Sequence, residues 1–453
     1  MLRTRPALRV ISMLALGSAS CGGRNAMPGG GAGSHAVSGA SGSGPSGAAA
    51  TNGNAGTGSM GRAGTGGNGA AGSGAGGTRG AAGQSGGGQQ PGQGGTSGNG
   101  GSAGTSPDAG AAGSSGCAQD ACPAKAGVTI ACEKRFMLGV NFAWVNFGSD
   151  FGGGAQGVAQ NQARVRQDLQ DMKANGVDVI RWWMHPSMFD GGGVKLDAAG
   201  TPQGLTGSEL ADIDAALALA AEQGVHLKLT LFSFDNFKPD SGSGHSLSPV
   251  IADDAKRKAL IDNLVRPIAR AVAASTHAAQ VVSWDVINEP EWAIKGNDGY
   301  GDQDFDAMSS LQQVDFTVME TFVREVVAAL HDESKPLVTV GQAAVKWSHA
   351  FTKVGLDYYD MHYYGWVDQY FPLGQKSLED YGIGDRPVVV GEFPLDGWTN
   401  PNGTLNADQI MSKLFDLGYA GAKAWAFTQD GNWPGNKGNL ATFAMAHPCE
   451  TRY

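Results

Sequence analysis

Between Gly22 and Gly116 the chain has no aromatic residue and a single acid, Asp108. That stretch is nearly all Gly, Ala, Ser, Thr, Asn and Gln. It cannot bury enough apolar surface to offset the entropy of ordering, which excludes a packed core there and predicts a disordered linker. A membrane-spanning run is missing from the N-terminus as well. Val10 to Ala19 is apolar and follows Arg3, Arg5 and Arg9, but it is too short to cross a bilayer and reads as the core of an export signal. Basic charge is scarce: 32 Lys and Arg stand against 42 Asp and Glu, a net charge of −10. That balance argues against a nucleic-acid partner and against a basic membrane-docking face, and says nothing against a neutral polymer. Cysteine is scarce too, with five in 453 residues.

Ser18-Ala19-Ser20-Cys21 resembles a bacterial lipobox, in which Cys21 would become the lipidated first residue of the mature chain. Ser18 stands where a leucine is usual, and an ordinary cleaved signal peptide is the alternative. The linker would then be a tether. A random coil of ~95 residues has an r.m.s. reach of roughly 50–60 Å, enough to hold a domain off a cell surface. The expected division is a signal over 1–21, a linker over 22–116 and one folded domain over 117–453, exported, envelope-bound or secreted, and monomeric. The membrane would be met only through the lipid. Cys117, Cys122, Cys132 and Cys449 remain, and an even number in an exported protein reads as disulfides. His447 is the only histidine near any of them, so zinc is disfavoured.

From Phe136 onward, apolar runs rich in β-branched and aromatic residues alternate with amphipathic stretches. The strands are expected at 136–142, 177–183, 225–232, 281–287, 337–340, 356–363, 387–392 and 422–427. Helices are expected at 160–174, 208–223, 253–274 (bent by Pro267), 305–332, 345–353, 407–417 and 440–446, with a brief turn at 377–381. Ser208 and Gly224 read as the two caps of one helix, and Asn175-Gly176 as the stop of another. Eight strand-then-helix units predict an α/β fold, a closed (β/α)8 barrel. An open doubly wound sheet is the alternative, but no Gly-rich nucleotide loop follows the first strand.

In such a barrel the chemistry sits at the C-terminal strand ends. The fourth strand ends in Trp284-Asp285-Val286-Ile287-Asn288-Glu289-Pro290 and the seventh in Val390-Gly391-Glu392-Phe393. Two glutamates thus arrive at one rim, and cleaving a glycosidic bond needs two carboxyls, one to protonate the leaving oxygen and one to attack or to activate water. Several tryptophans fall near strand ends or in the loops after them, among them Trp144, Trp182, Trp183, Trp292, Trp366, Trp398 and Trp433. Indole faces stack on the C–H faces of pyranose rings. By alternation Trp284 points away from the barrel axis. Asp302, Asp304 and Asp306 lack the remaining spacing of a calcium loop and read as solvated.

Asn288-Glu289-Pro290 and Gly391-Glu392-Phe393, placed in those two strands, resemble glycoside hydrolase clan A, nearest to its cellulase- and mannanase-containing family five. The resemblance spans the barrel from about Phe136 to His447. It implies a retaining enzyme in which Glu289 is the acid/base and Glu392 the nucleophile. It implies Asn288 on the sugar 2-hydroxyl, Arg181 beside the nucleophile, Tyr364 donating to the nucleophile carboxylate, His362 lining the substrate site and Trp425 flooring the sugar subsite. Trp144 and Trp292 are further cleft candidates. Strand three carries no histidine where family five has one, and His185 is the residue placed to fill part of that space. No metal or organic cofactor is expected.

Cys132 precedes the first strand and Cys449 follows the last helix, so both belong at the barrel's bottom. A Cys132–Cys449 bridge is expected, with Cys117–Cys122 as a small loop and Cys122–Cys449 as the competitor. A bridge over so long a loop is worth roughly 4–5 kcal/mol in the chain-entropy model. The expected activity is hydrolysis of β-glycosidic bonds in a polysaccharide, with β-1,4-glucan or β-mannan favoured. A transglycosylase and a non-catalytic carbohydrate-binding barrel are the rivals, and a structural surface protein is a third.

Overall fold

The computed structural model describes residues 120–186, 193–239, 246–368, 370–400, 403–427 and 431–453. Eight parallel strands close into a barrel in chain order: β1 Met137–Asn141, β2 Val179–Trp183, β3 His226–Ser233, β4 Val281–Asn288, β5 Leu337–Gln342, β6 Tyr359–His362, β7 Val388–Pro394 and β8 Gly421–Trp425, which returns to β1. The helices are α1 Gln162–Ala174, α2 Glu209–Gln223, α3 Leu247–Ala252, α4 Asp254–Leu260, α5 Arg266–Ala274, α6 Phe316–Glu333, α7 Ala407–Asp416 and α8 Trp433–Ala446. The expected barrel is therefore the observed one.

Alternation along the strands builds two interiors. Leu138, Val140, Ile180, Trp182, Leu229, Leu231, Trp284 and Val286 face outward and join Leu169, Met172, Ile213, Leu217, Met319 and Val323 of the helices in one buried apolar core. Residues of the other parity face the axis. At the floor these are apolar: Met137, Val179, Tyr358 and Val389 pack with Val128, Val282 and Ala420. Higher up they are polar.

Several element bounds differ from the pattern reading. Helix α6 begins at Phe316, because Phe305 and Leu311 are buried as part of the long loop after β4 rather than as a helix face. The 345–353 helix is a single 3-10 turn over Val345–Trp347. Helix α8 starts at Trp433, earlier than expected, with Pro434 in its first turn. The expected 253–274 helix is interrupted by a π-turn over Ile261–Val265 just ahead of Pro267, whose missing N–H removes one ladder bond. Gly224 does end α2, at φ +62°, where a side chain would strain the turn. Ser208 does not cap that helix with its side chain, since its hydroxyl accepts from the Gly154 N–H at 3.0 Å.

The disulfide reading is corrected. Cys449 is bonded to Cys122, which excludes both Cys132–Cys449 and Cys117–Cys122. The reason lies in Asp120. Its carboxylate accepts from the backbone N–H groups of Lys134 (2.8 Å) and Cys122 (3.0 Å) and pairs with Arg135 at 2.7 Å. Arg135 also donates to the carbonyl of Arg452 at 2.7 Å. These bonds lay Cys122 beside the C-terminal tail, while Cys132 sits exposed in the turn joining the short strands Val128–Ile130 and Glu133–Arg135. Cys132 is itself disulfide-bonded. Cys21, Cys117, the signal and the linker lie outside the described residues. Among the described residues no helix is long and apolar enough to cross a membrane.

Candidate active site

Glu289 ends β4 in the left-handed region at φ +48°, a conformation a non-glycine residue seldom takes, and its N–H donates to the Gly341 carbonyl of β5 at 2.7 Å. Glu392 lies within β7, where the pairing with β8 shifts register between Val390 and Phe393. Carboxylate oxygens of the two lie within 4.8 Å of each other, and both residues are 4% exposed.

Each carboxylate is held at both oxygens. Glu392 Oε1 accepts from Arg181 at 2.6 Å and Oε2 from the Tyr364 hydroxyl at 2.8 Å. Glu289 Oε2 accepts from Trp292 Nε1 at 2.8 Å, and its Oε1 lies 2.7 Å from His362 Nδ1. That same nitrogen is 3.5 Å from Glu392 Oε2, so His362 touches both carboxylates. Arg181 is the hub: its Nε donates to Asp285 at 2.8 Å and its other nitrogens reach Asn141, Asn288 and Glu392. His362, Glu289 and Glu392 together offer three donor atoms. Both Glu392 oxygens already accept hydrogen bonds, one of them from a guanidinium, which suits a proton-sharing carboxyl pair better than a cation cage.

Electrostatics separate the two carboxyls. Burial pushes Glu289 well above the usual carboxylate range, and the facing Glu392 adds to this. Burial also raises Glu392, to about 7, but Arg181 and the Tyr364 hydroxyl pull against it. One proton shared by the pair therefore rests on Glu289 and leaves Glu392 ionised. Burial, then the cations Arg181, Lys228 and Lys423, hold His362 well below its ordinary range, so it is neutral near pH 7. Its Nε2 is buried without an acceptor, which assigns the ring proton to Nδ1, facing Glu289.

Arg181 and Tyr364 lie against the Glu392 carboxylate, where the sequence reading places them. Asn288 gives its carbonyl oxygen to Arg181 at 2.8 Å, which leaves its amide nitrogen to donate elsewhere. His362, read as lining the substrate site, is 1% exposed and is bonded to Glu289. Trp425 and Trp144 are partly exposed and meet Trp183 and each other edge to face, with centroids 5.5–6.4 Å apart. Trp292 is buried, bonded to Glu289 and packed on Trp366, which is partly exposed. Trp182, Trp398 and Trp433 are core residues: Trp182 and Trp433 donate to Asp150 and Asp171, and Trp398 stacks on Tyr363 at 4.4 Å. His185 is fully buried against Glu209 at 3.3 Å. Asp302 binds His349, Asp304 accepts from Asn297 and Asp306 pairs with Lys346, so these acids have protein partners.

Asn141, Lys228, Asp285, Asp360 and Lys423 went unread, though all five are fully buried inside the barrel. The available signal was parity: each is a polar residue at an axis-facing position of an otherwise apolar strand.

No family model matches the chain. Over 335 residues it is 24% identical to a mannan endo-1,4-beta-mannosidase of Mytilus edulis, covering 66% of this chain and 85% of the relative. Over 349 residues it is 27% identical to a mannan endo-1,4-beta-mannosidase of Cryptopygus antarcticus, covering 66% and 82%. Among solved structures, the beta-1,4-mannanase of the common sea hare Aplysia kurodai superposes with a TM-score of 0.60 at 21% identity, over 72% of this chain and 97% of that one. This last likeness is one of fold. Sequence and fold together carry the resemblance that the two glutamate motifs carry, to a family-five-like glycoside hydrolase.

Proposed function

We propose that the protein is an exported, retaining β-1,4-mannanase with Glu392 as nucleophile and Glu289 as acid/base. The observation that carries the mechanism is the separation of the two carboxylates, with oxygens within 4.8 Å of each other. Retaining enzymes hold the pair about 5–5.5 Å apart, whereas inverting ones leave roughly 6.5–9.5 Å for a water. The two relatives named as acting on mannan support the substrate.

In the first half, Glu392 attacks the anomeric carbon, the bond to the leaving oxygen breaks, and the Glu289 proton passes to that oxygen. In the second, Glu289 takes a proton from water, the water oxygen attacks the same carbon, and Glu392 leaves as a carboxylate. Arg181 and Tyr364 hold Glu392 in line for attack. Asn288 offers its amide to the sugar, and Trp425 and Trp144 offer faces for its C–H surface. The signal, the linker and lipidation at Cys21 complete the reading: an enzyme tethered at the cell envelope, working on a polymer outside.

Reducing-sugar release from β-mannan, β-glucan and xylan by the full chain tests this. Release is expected from mannan, and Glu392→Ala should lower it by about 10⁴-fold or more. Added azide should restore cleavage in that variant with inverted product, since a small anion can enter from the vacated side. An active Glu392→Ala variant, or no release from any mannan, would sink the proposal.

A further inference from the structure

Three tryptophans gather beside the nucleophile, and strands hold only two of them. Trp183 ends β2 and lies over the guanidinium of Arg181 at 4.1 Å, the group that binds Glu392. Trp425 ends β8 and meets Trp183 at 5.5 Å. Trp144 meets Trp183 at 6.3 Å and Trp425 at 6.4 Å, but it stands in the irregular loop beyond the end of β1 at Asn141. The backbone bonding of the barrel carries on as far as Ala143. Phe142 N–H donates to the Arg181 carbonyl at 2.9 Å, and Trp183 N–H to the Ala143 carbonyl at 3.3 Å. Past that point the loop needs another hold if Trp144 is to keep one place.

Asp150 supplies it. The residue is 2% exposed, and three N–H groups converge on its carboxylate. Oδ2 accepts from the Val145 N–H at 2.7 Å and from Trp182 Nε1 at 2.8 Å, and Oδ1 accepts from the Asn146 N–H at 2.7 Å. Val145 and Asn146 directly follow Trp144, and Trp182 belongs to β2 and the outer core. The carboxylate thus fastens the far side of Trp144 to the barrel wall, as the strand bonds fasten the near side. The Asp150 carbonyl accepts from the Val158 N–H at 2.9 Å, so the same residue anchors the second half of the loop. Asp212 on α2 holds the far end, accepting from the Gly152 and Ala159 N–H groups at 3.0 and 2.8 Å. A carboxylate offers acceptors on both oxygens and no donor, which is what three converging N–H groups need. Bonds to an ionised acceptor are roughly twice as strong as neutral ones.

We propose that Asp150 is a positioning residue for the sugar site, fixing the loop after β1 so that Trp144 completes one aromatic wall with Trp183 and Trp425 beside the nucleophile. The inference rests on the reading of Trp144 as a sugar-facing side chain. The barrel sets two of the three rings, and the third depends on a carboxylate too buried to meet substrate. Burial pushes Asp150 up to about 6, while its bonds from Trp182, Val145 and Asn146 pull the other way. The hold is therefore present above that pH and weakens as pH falls through it. The other charged groups around the loop are Arg164 on α1, which favours the ionised form, and Asp212, Glu209 and His185 at the far end.

The test uses Asp150→Asn in the full chain. An amide has one oxygen, so it must turn its N–H2 toward at least one of the three donors. kcat/KM on mannan should fall about tenfold. In a Trp144→Ala background the same substitution should change kcat/KM by less than about twofold, because a residue that acts through another does not add to its loss. A second readout needs no activity: acrylamide quenching of the fluorescence that Trp144→Phe removes should rise in Asp150→Asn. If Asp150→Asn does not fold, wild type and Asp212→Asn answer instead, and in both the Trp144 quenching should rise as pH falls through about 6. Additive losses in the cycle, or Trp144 quenching that follows neither the substitution nor pH, overturn the inference. A chain without glycosidase activity whose Trp144 quenching still follows Asp150 overturns the proposed function and leaves the positioning standing.

Discussion

The two faces of the same eight strands are built to opposite rules. The outward face, with Leu138, Ile180, Leu229 and Trp284, is apolar and meets the helices. The inward face, with Asn141, Arg181, Lys228, Asp285, Asp360, His362, Glu392 and Lys423, is as fully buried yet mostly charged or polar. Burial alone therefore does not tell core from site. What separates them is whether buried groups are partnered. Arg181 is ringed by acceptors, while Leu229 needs only contact. The outer face specifies the barrel, and the inner face spends part of that stability on fixed charges.

The comparison can be broken at either face. Leu229→Ala on the outer face should lower stability by about 3 kcal/mol through the cavity it leaves. Chemical denaturation would show this, and kcat/KM per folded molecule should stay near wild type. A loss of activity without a loss of stability would mean the faces are not separable. Arg181→Lys on the inner face should act the other way. A lysine keeps the charge but cannot bridge Asp285, Asn288 and Glu392 at once, so kcat/KM should fall about 100-fold. Steady-state kinetics on mannan check it, and an activity near wild type would show that the fork geometry is dispensable.

The smallest effect sharpens the inner face. Trp292→Phe removes one hydrogen bond that favours the ionised form of Glu289. The acid must be protonated to work, so activity is lost as pH rises through the Glu289 pKa. Removing the bond raises that pKa, and the alkaline limb of kcat/KM should move up by about half a pH unit. A limb that moves down would show that the indole favours the protonated acid instead.

Much of this was legible along the chain. The order of strands and helices followed from periodicity, and the two motifs placed Glu289 and Glu392 at one rim before any distance was known. The limits are instructive at particular residues. Helix α6 was read to begin at Phe305, since apolar spacing cannot tell a buried loop from a helix face. Cys449 was assigned to Cys132 on position along the chain, but the bond goes to Cys122, because Asp120 and Arg135 pull that segment under the barrel.

The sequence by itself determined the alternation of elements, the parity of each strand and the residue types at its ends, because these are local properties of pattern and spacing. Only the tertiary structure decided which buried groups meet. Lys228 finds Asp360 across the barrel axis, from strands far apart in the chain. The separation of the two carboxylates and the hub at Arg181 likewise exist only once the barrel has closed. Closure brings together charges that no local rule could pair, in a space dry enough for each pairing to count.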